Sequence, residues 1–154
     1  MLTLILISTG YDTYKAYSTW RHQPMRIIPS PIHGFLDYVG SLFLIFSPII
    51  FRYSNSTGPE VITPIVIGVI LLFTSLITRY EFGLLKLISY PLHLVIDFLL
   101  GAAIAISPFV FEFIKTPAFV WLPDILVGVL ILLVVLFSKT VTDASITRNQ
   151  PRRL

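Results

Sequence analysis

His33 and Asp37, and again His93 and Asp97, stand four residues apart in segments that otherwise read as apolar helix. That spacing puts both side chains on one helix face, about 6 Å apart, where an imidazole and a carboxylate can hydrogen-bond, share a proton or ligate an ion. Each aspartate falls about 9 Å inside the start of its segment at a helical rise of ~1.5 Å per residue. A carboxylate at that depth in a bilayer is expensive unless it faces the protein interior and finds a partner. Both are therefore expected to point into a bundle core at its cytoplasmic end. Glu81, with Tyr80 and Arg79, closes the second apolar segment on the same side and is expected to reach that cluster. Val141 occupies the corresponding position in the second half of the chain, so this acid is single.

Three chemistries are open to the group His33, Asp37, Arg79, Tyr80, Glu81, His93 and Asp97. As interhelical fasteners, such residues contribute ~0.6 to 2 kcal/mol each. As titratable groups stacked in a membrane, they are the usual material of a proton or ion relay. The outer half offers only Ser41, Ser47 and Ser107, so a continuous path is not written. As ligands, His33 and His93 could clamp a haem axially, or join the carboxylates around a hard metal ion. With no cysteine, thiolate zinc sites, iron-sulfur clusters and disulfides are excluded. No Ser-His-Asp order, phosphate loop or HExxH run is present, so the chain reads as no enzyme.

The elements that position these residues form a duplication. PIHGFLDYVGSLFLIFSPIIF at 31–51 recurs sixty positions later as PLHLVIDFLLGAAIAISPFVF at 91–111, with Pro31/Pro91, His33/His93, Asp37/Asp97, Ser47/Ser107, Pro48/Pro108 and Phe51/Phe111 identical. The offset continues into the next apolar segments through Gly68/Gly128, Thr78/Ser138 and Arg79/Lys139. Four spans are expected, about 32–53, 61–79, 92–113 and 118–138, each about the 20 residues needed to cross ~30 Å of hydrocarbon. Each unit crosses twice and both enter from one side, which implies a pseudo-twofold axis along the membrane normal. Pro48 and Pro108 lack the amide that would bond the carbonyls of Leu44 and Ile104, so a kink is expected there, with Ser47 and Ser107 partly satisfying the freed groups. Gly34, Gly40, Gly68, Gly101, Ala102, Ala103 and Gly128 are read as sites of close backbone approach.

Composition agrees with a bilayer as solvent: 55% of residues are hydrophobic, 12% are charged, and the mean hydropathy is +0.86. Lys15, Arg21, Arg26, Arg79, Lys86, Lys139, Arg148, Arg152 and Arg153 lie on one face, with Arg52 and Lys115 on the other. That bias puts both termini in the cytoplasm of a multi-pass protein of the cell (inner) membrane. The net charge of +3 fits attraction to anionic headgroups, and no basic-aromatic interleaving points to nucleic acid. Phe109, Phe111, Phe113, Phe119, Trp121 and Tyr53 are expected to form an outer aromatic belt, with Tyr80, Phe82 and Tyr90 on the inner side. Residues 1–24 form an extension whose Tyr11, Tyr14, Tyr17 and Trp20 could line an interfacial helix. Residues 25–80 and 81–140 form the two units, and 141–154 a basic cytoplasmic tail.

IPSPIHGFLDY, an SP pair near the end of the first helix, SLITRYEFG, and YPLHLVIDFLLG with a second SP pair together resemble the SPW-repeat family of small bacterial and archaeal membrane proteins. The resemblance covers about 25–140, with Ile49 and Phe109 standing where the namesake motif has tryptophan. It implies a two-helix unit carried twice, and no established biochemical activity. The expected architecture is thus an all-α membrane protein of four transmembrane helices in two tandem two-helix units. The expected role is a non-catalytic accessory or scaffold subunit of a larger inner-membrane complex, a respiratory assembly being one candidate host. The alternative is a haem- or metal-binding or proton/ion-translocating protein using the His/Asp/Glu cluster. The expected partners are the bilayer and other membrane subunits.

Overall fold

A computed structural model describes residues 26–140. The extension and the basic tail lie outside the described residues, as do the readings made for them. Four helices follow in order: α1 (Ser30–Ile50), α2 (Pro59–Ile77), α3 (Tyr90–Val110) and α4 (Ala118–Phe137), with a short 3-10 turn at Phe113–Lys115 before α4. All four are long and apolar enough to cross a membrane. The described residues form an all-α membrane protein fold of four helices.

Proline starts these helices. Pro31, Pro59 and Pro91 occupy first-turn positions, where the missing amide costs nothing because that group has no intrahelical partner. The expected span ends at 53 and 113 shorten to Ile50 and Val110. Arg52 and Glu112 both take φ 60°, a left-handed turn that breaks the helix sixty residues apart in the two halves. Helices α2 and α4 end differently, in extended Thr78 and Ser138. These extended ends pair with the chain entering the neighbouring helices. Ile28 N–H donates to Phe137 O at 3.0 Å and accepts from Lys139 N–H at 3.0 Å. Ile88 N–H donates to Ile77 O at 3.1 Å and accepts from Arg79 N–H at 2.9 Å, the same pairing sixty residues earlier and later.

Helix α1 packs along α2, and α3 along α4, with α2 against α3 and α1 against α4 closing the bundle. The α3–α4 contact is tight because Gly101 and Gly128 face each other's helix. A Cβ on Gly128 would lie 2.7 Å from the Gly101 carbonyl and from the Ala105 amide. Gly40 has open space around it and Ala103 is exposed, so these two play no part in close packing. The middle of the bundle is a plug of Leu44, Ile67, Leu71 and Ile104, all buried, with Leu100, Val127 and Ile131 packed around it. Large aliphatic side chains cover the outside of every helix, among them Ile49, Val66, Leu99 and Leu130.

Candidate functional site

The two His/Asp pairs merge into one ring below the plug. Helix α1 contributes His33 and Asp37, and α3 contributes His93 and Asp97, from positions one turn apart on inward faces. His33 Nε2 lies 3.2 Å from Asp37 Oδ2 on its own helix and 3.1 Å from Asp97 Oδ2 across the bundle. His93 Nε2 lies 3.0 Å from Asp37 Oδ2 and 3.0 Å from Asp97 Oδ2. One atom from each residue therefore alternates nitrogen, oxygen, nitrogen, oxygen around a closed quadrilateral. Both histidines and Asp97 are fully buried, and Asp37 is 8% exposed.

The walls of the ring come from residues of both halves. Ser138, at the end of α4, lies 2.7 Å from His33 Nδ1 and donates its hydroxyl hydrogen to Val134 O at 2.6 Å. Tyr80 stacks on His93 with ring centroids 5.8 Å apart, and Tyr90 meets His33 edge-on at 5.6 Å. Both tyrosines are 2% exposed, so they cap the ring and do not join an inner belt at the headgroups. Helix α1 admits the Tyr80 ring because Gly34 has no side chain; a Cβ there would overlap it. Burial, and next the charge of Asp37, hold the Tyr80 phenol well above its usual range, so it stays protonated.

Arg79 and Glu81 do not enter the ring. Both are exposed, and Arg79 Nε donates to Lys86 O at 2.6 Å. Closeness in sequence to Tyr80 is no guide here, because the chain turns at Thr78 and successive side chains point apart. Of the seven residues read as one cluster, five come together: His33, Asp37, Tyr80, His93 and Asp97. Tyr90 and Ser138 join them. Tyr90 was read as an interfacial anchor, and Ser138 only as the counterpart of Thr78.

At the opposite end, Ser47 Oγ donates to Leu44 O at 2.9 Å and Ser107 Oγ to Ile104 O at 2.8 Å. These are the two carbonyls that Pro48 and Pro108 leave without an amide, so each serine repairs the gap made by the proline after it. Ile49 and Phe109 are 64% and 59% exposed and point toward lipid, which is why the third position of the motif accepts different bulky apolar residues. Tyr53 and Phe113 turn inward and are buried, contrary to their reading as belt residues. The Tyr53 hydroxyl lies 3.3 Å from Ser47 Oγ.

Asp124 of α4 was not singled out in the sequence. It is fully buried, and among the described residues neither carboxylate oxygen has a hydrogen-bond partner. Burial raises the Tyr53 phenol, and the charges of Asp124 and Glu60 add to that shift. Pro64 stands sixty positions before Asp124, so the duplication gave no signal for this acid.

Fold and site together define a small integral membrane protein whose interior holds one closed His/Asp ring. The chain belongs to the SPW repeat domain family, whose model matches residues 31–138. No curated protein and no solved structure gives a significant match.

Proposed function

We propose that this protein is a non-catalytic accessory or scaffold subunit of a larger inner-membrane complex, with a respiratory assembly as one candidate host. In this reading both termini are cytoplasmic, and the two units are related by a pseudo-twofold axis along the membrane normal with the ring on that axis. The ring is the clasp between the units, and the aliphatic outer faces are the surface offered to lipid and to companion subunits. The observation that carries the reading is the plug. Leu44, Ile67, Leu71 and Ile104 are at most 8% exposed and fill the bundle between the ring and the outer end. A substrate site or a conduction path would need polar groups or space where these four side chains pack.

The relay alternative gains Asp124, a third buried acid, on the far side. It still meets the same plug, which begins at Leu44, about 10 Å along α1 from Asp37 at helical rise. The haem alternative meets a steric objection. Asp37 and Asp97 oxygens contact both Nε2 atoms and occupy the space a porphyrin would take. Mild-detergent purification of the full chain, with native mass spectrometry of what accompanies it, tests the proposal. A stoichiometric membrane companion is expected. A chain that is alone and monodisperse, or that conducts protons when reconstituted in vesicles, would overturn it.

A further inference from the structure

We infer that the ring of His33, Asp37, His93 and Asp97 is a binding site for one divalent first-row transition-metal ion, held by two imidazole Nε2 and two carboxylate Oδ2 atoms. The first argument counts hydrogens. Ser138 spends its only hydroxyl hydrogen on Val134 O, so at 2.7 Å it must accept from His33 Nδ1–H. With Nδ1 carrying the hydrogen, a neutral His33 turns a bare Nε2 lone pair toward two carboxylate oxygens. Only a positive ion between them makes that arrangement favourable: a further proton, carried by His33 or by a carboxyl oxygen, or a metal ion.

The geometry points to the metal ion. Four Nε2···Oδ2 contacts of 3.0–3.2 Å close the ring, yet two Nε2 atoms can supply at most two hydrogens. A proton clasp would leave two edges without a hydrogen, whereas one central ion serves all four atoms at once. A square with edges of this length would have its centre about 2.2 Å from each corner, close to metal–imidazole and metal–carboxylate bond lengths. The four ligand atoms all lie within 4.8 Å of one another. Each aspartate uses the same oxygen toward both histidines, leaving Asp97 Oδ1 without a partner among the described residues, where a hydrogen-bonded clasp would engage both oxygens. Two carboxylates and one divalent ion sum to zero charge, which suits a site buried at membrane depth.

The donor set narrows the ion. Two imidazoles disfavour magnesium and calcium, which take oxygen-rich shells of six or more, and the absence of thiolate disfavours copper(I). Zinc, iron(II), cobalt(II), nickel and copper(II) remain. Four protein ligands close the shell, as in structural rather than catalytic sites. The Ser138–His33 contact is the outer-shell bond that fixes ring orientation in such centres. This inference stands independently of the accessory role, because it concerns the interior and not the lipid-facing surface.

The test uses the full chain purified in detergent. Elemental analysis is expected to find about one first-row divalent ion per folded chain. After chelator treatment, cobalt(II) is expected to restore a ligand-field spectrum and copper(II) an electron-spin signal split by two imidazole nitrogens. His33→Gln and His93→Gln are each expected to weaken cobalt(II) binding by at least about 100-fold. Should either variant fail to fold, the wild-type measurements decide. A folded, monodisperse wild-type chain that carries no stoichiometric metal and gives no spectral change with cobalt(II) or copper(II) would overturn the inference. So would metal content unchanged in both glutamine variants.

Discussion

The two ends of the bundle treat buried polarity in opposite ways. At the ring end, four ionisable side chains from two helices answer one another at 3.0–3.2 Å, under a lid of two tyrosines. At the far end, Asp124 is as deeply buried and has no partner for either oxygen among the described residues. The difference follows from duplication. Each ring residue occurs twice, sixty positions apart, so every imidazole finds a carboxylate on its own helix and another on the opposite one. Asp124 stands opposite Pro64 in the repeat and Tyr53 opposite Phe113, so neither has a copy to meet. Pairing by duplication supplies complementary charge without requiring four independent residues.

Substitutions that unbalance the ring should break this contrast most strongly. Asp97→Ala leaves two buried imidazoles facing one carboxylate, and a loss of about 3–5 kcal/mol is expected, read as failure to recover monodisperse protein. Asp97→Asn keeps the shape and should cost less. At the far end the sign reverses: Asp124→Leu removes an unpartnered carboxylate and is expected to stabilise the protein by about 1 kcal/mol or more, measured as a higher melting temperature in detergent. A drop in melting temperature would show that Asp124 has a partner.

Gly34→Ala tests the lid. Its Cβ overlaps the Tyr80 ring, so a loss of about 1–3 kcal/mol is expected in the wild-type background and far less in a Tyr80→Ala background. Additive losses in that cycle would mean that the two positions do not touch. Ser47→Ala and Ser107→Ala should each cost about 0.6–2 kcal/mol by exposing the carbonyls of Leu44 and Ile104 to an apolar surround. The two values should be similar, because the two repairs are the same. Ile49→Trp should change stability by less than about 0.5 kcal/mol, since that side chain faces lipid.

The membrane class, the four helices and the partnership of His and Asp were legible because each rests on a pattern with a strong physical cause: long apolar runs, and a polar pair repeated at one offset. The crosswise closure was not legible. A four-residue spacing predicts contact on one helix, and nothing in it says that Asp97 will reach His33 as closely as Asp37 does. The serine repair of the proline gaps was readable, because both groups lie within one helical turn. Aromatic residues at helix ends were ambiguous for a different reason. Tyr53, Tyr80, Tyr90 and Phe113 have the composition of an interfacial belt, and only the placement of each against the bundle interior buries them. Arg79 and Glu81 were drawn into the cluster by neighbourhood in the chain, while the extended backbone at Thr78 sends them outward.

The closure of the ring across the two units is the claim on which the fold and both proposals meet. It can be read directly by magnetic-resonance distance measurement between labelled His93 Nε2 and the assigned Asp37 carboxyl carbon in the bilayer-embedded protein. The structure predicts a strong coupling, since Nε2 and Asp37 Oδ2 lie 3.0 Å apart on different helices. A His93 coupled to Asp97 alone, with no signal to Asp37, would contradict it.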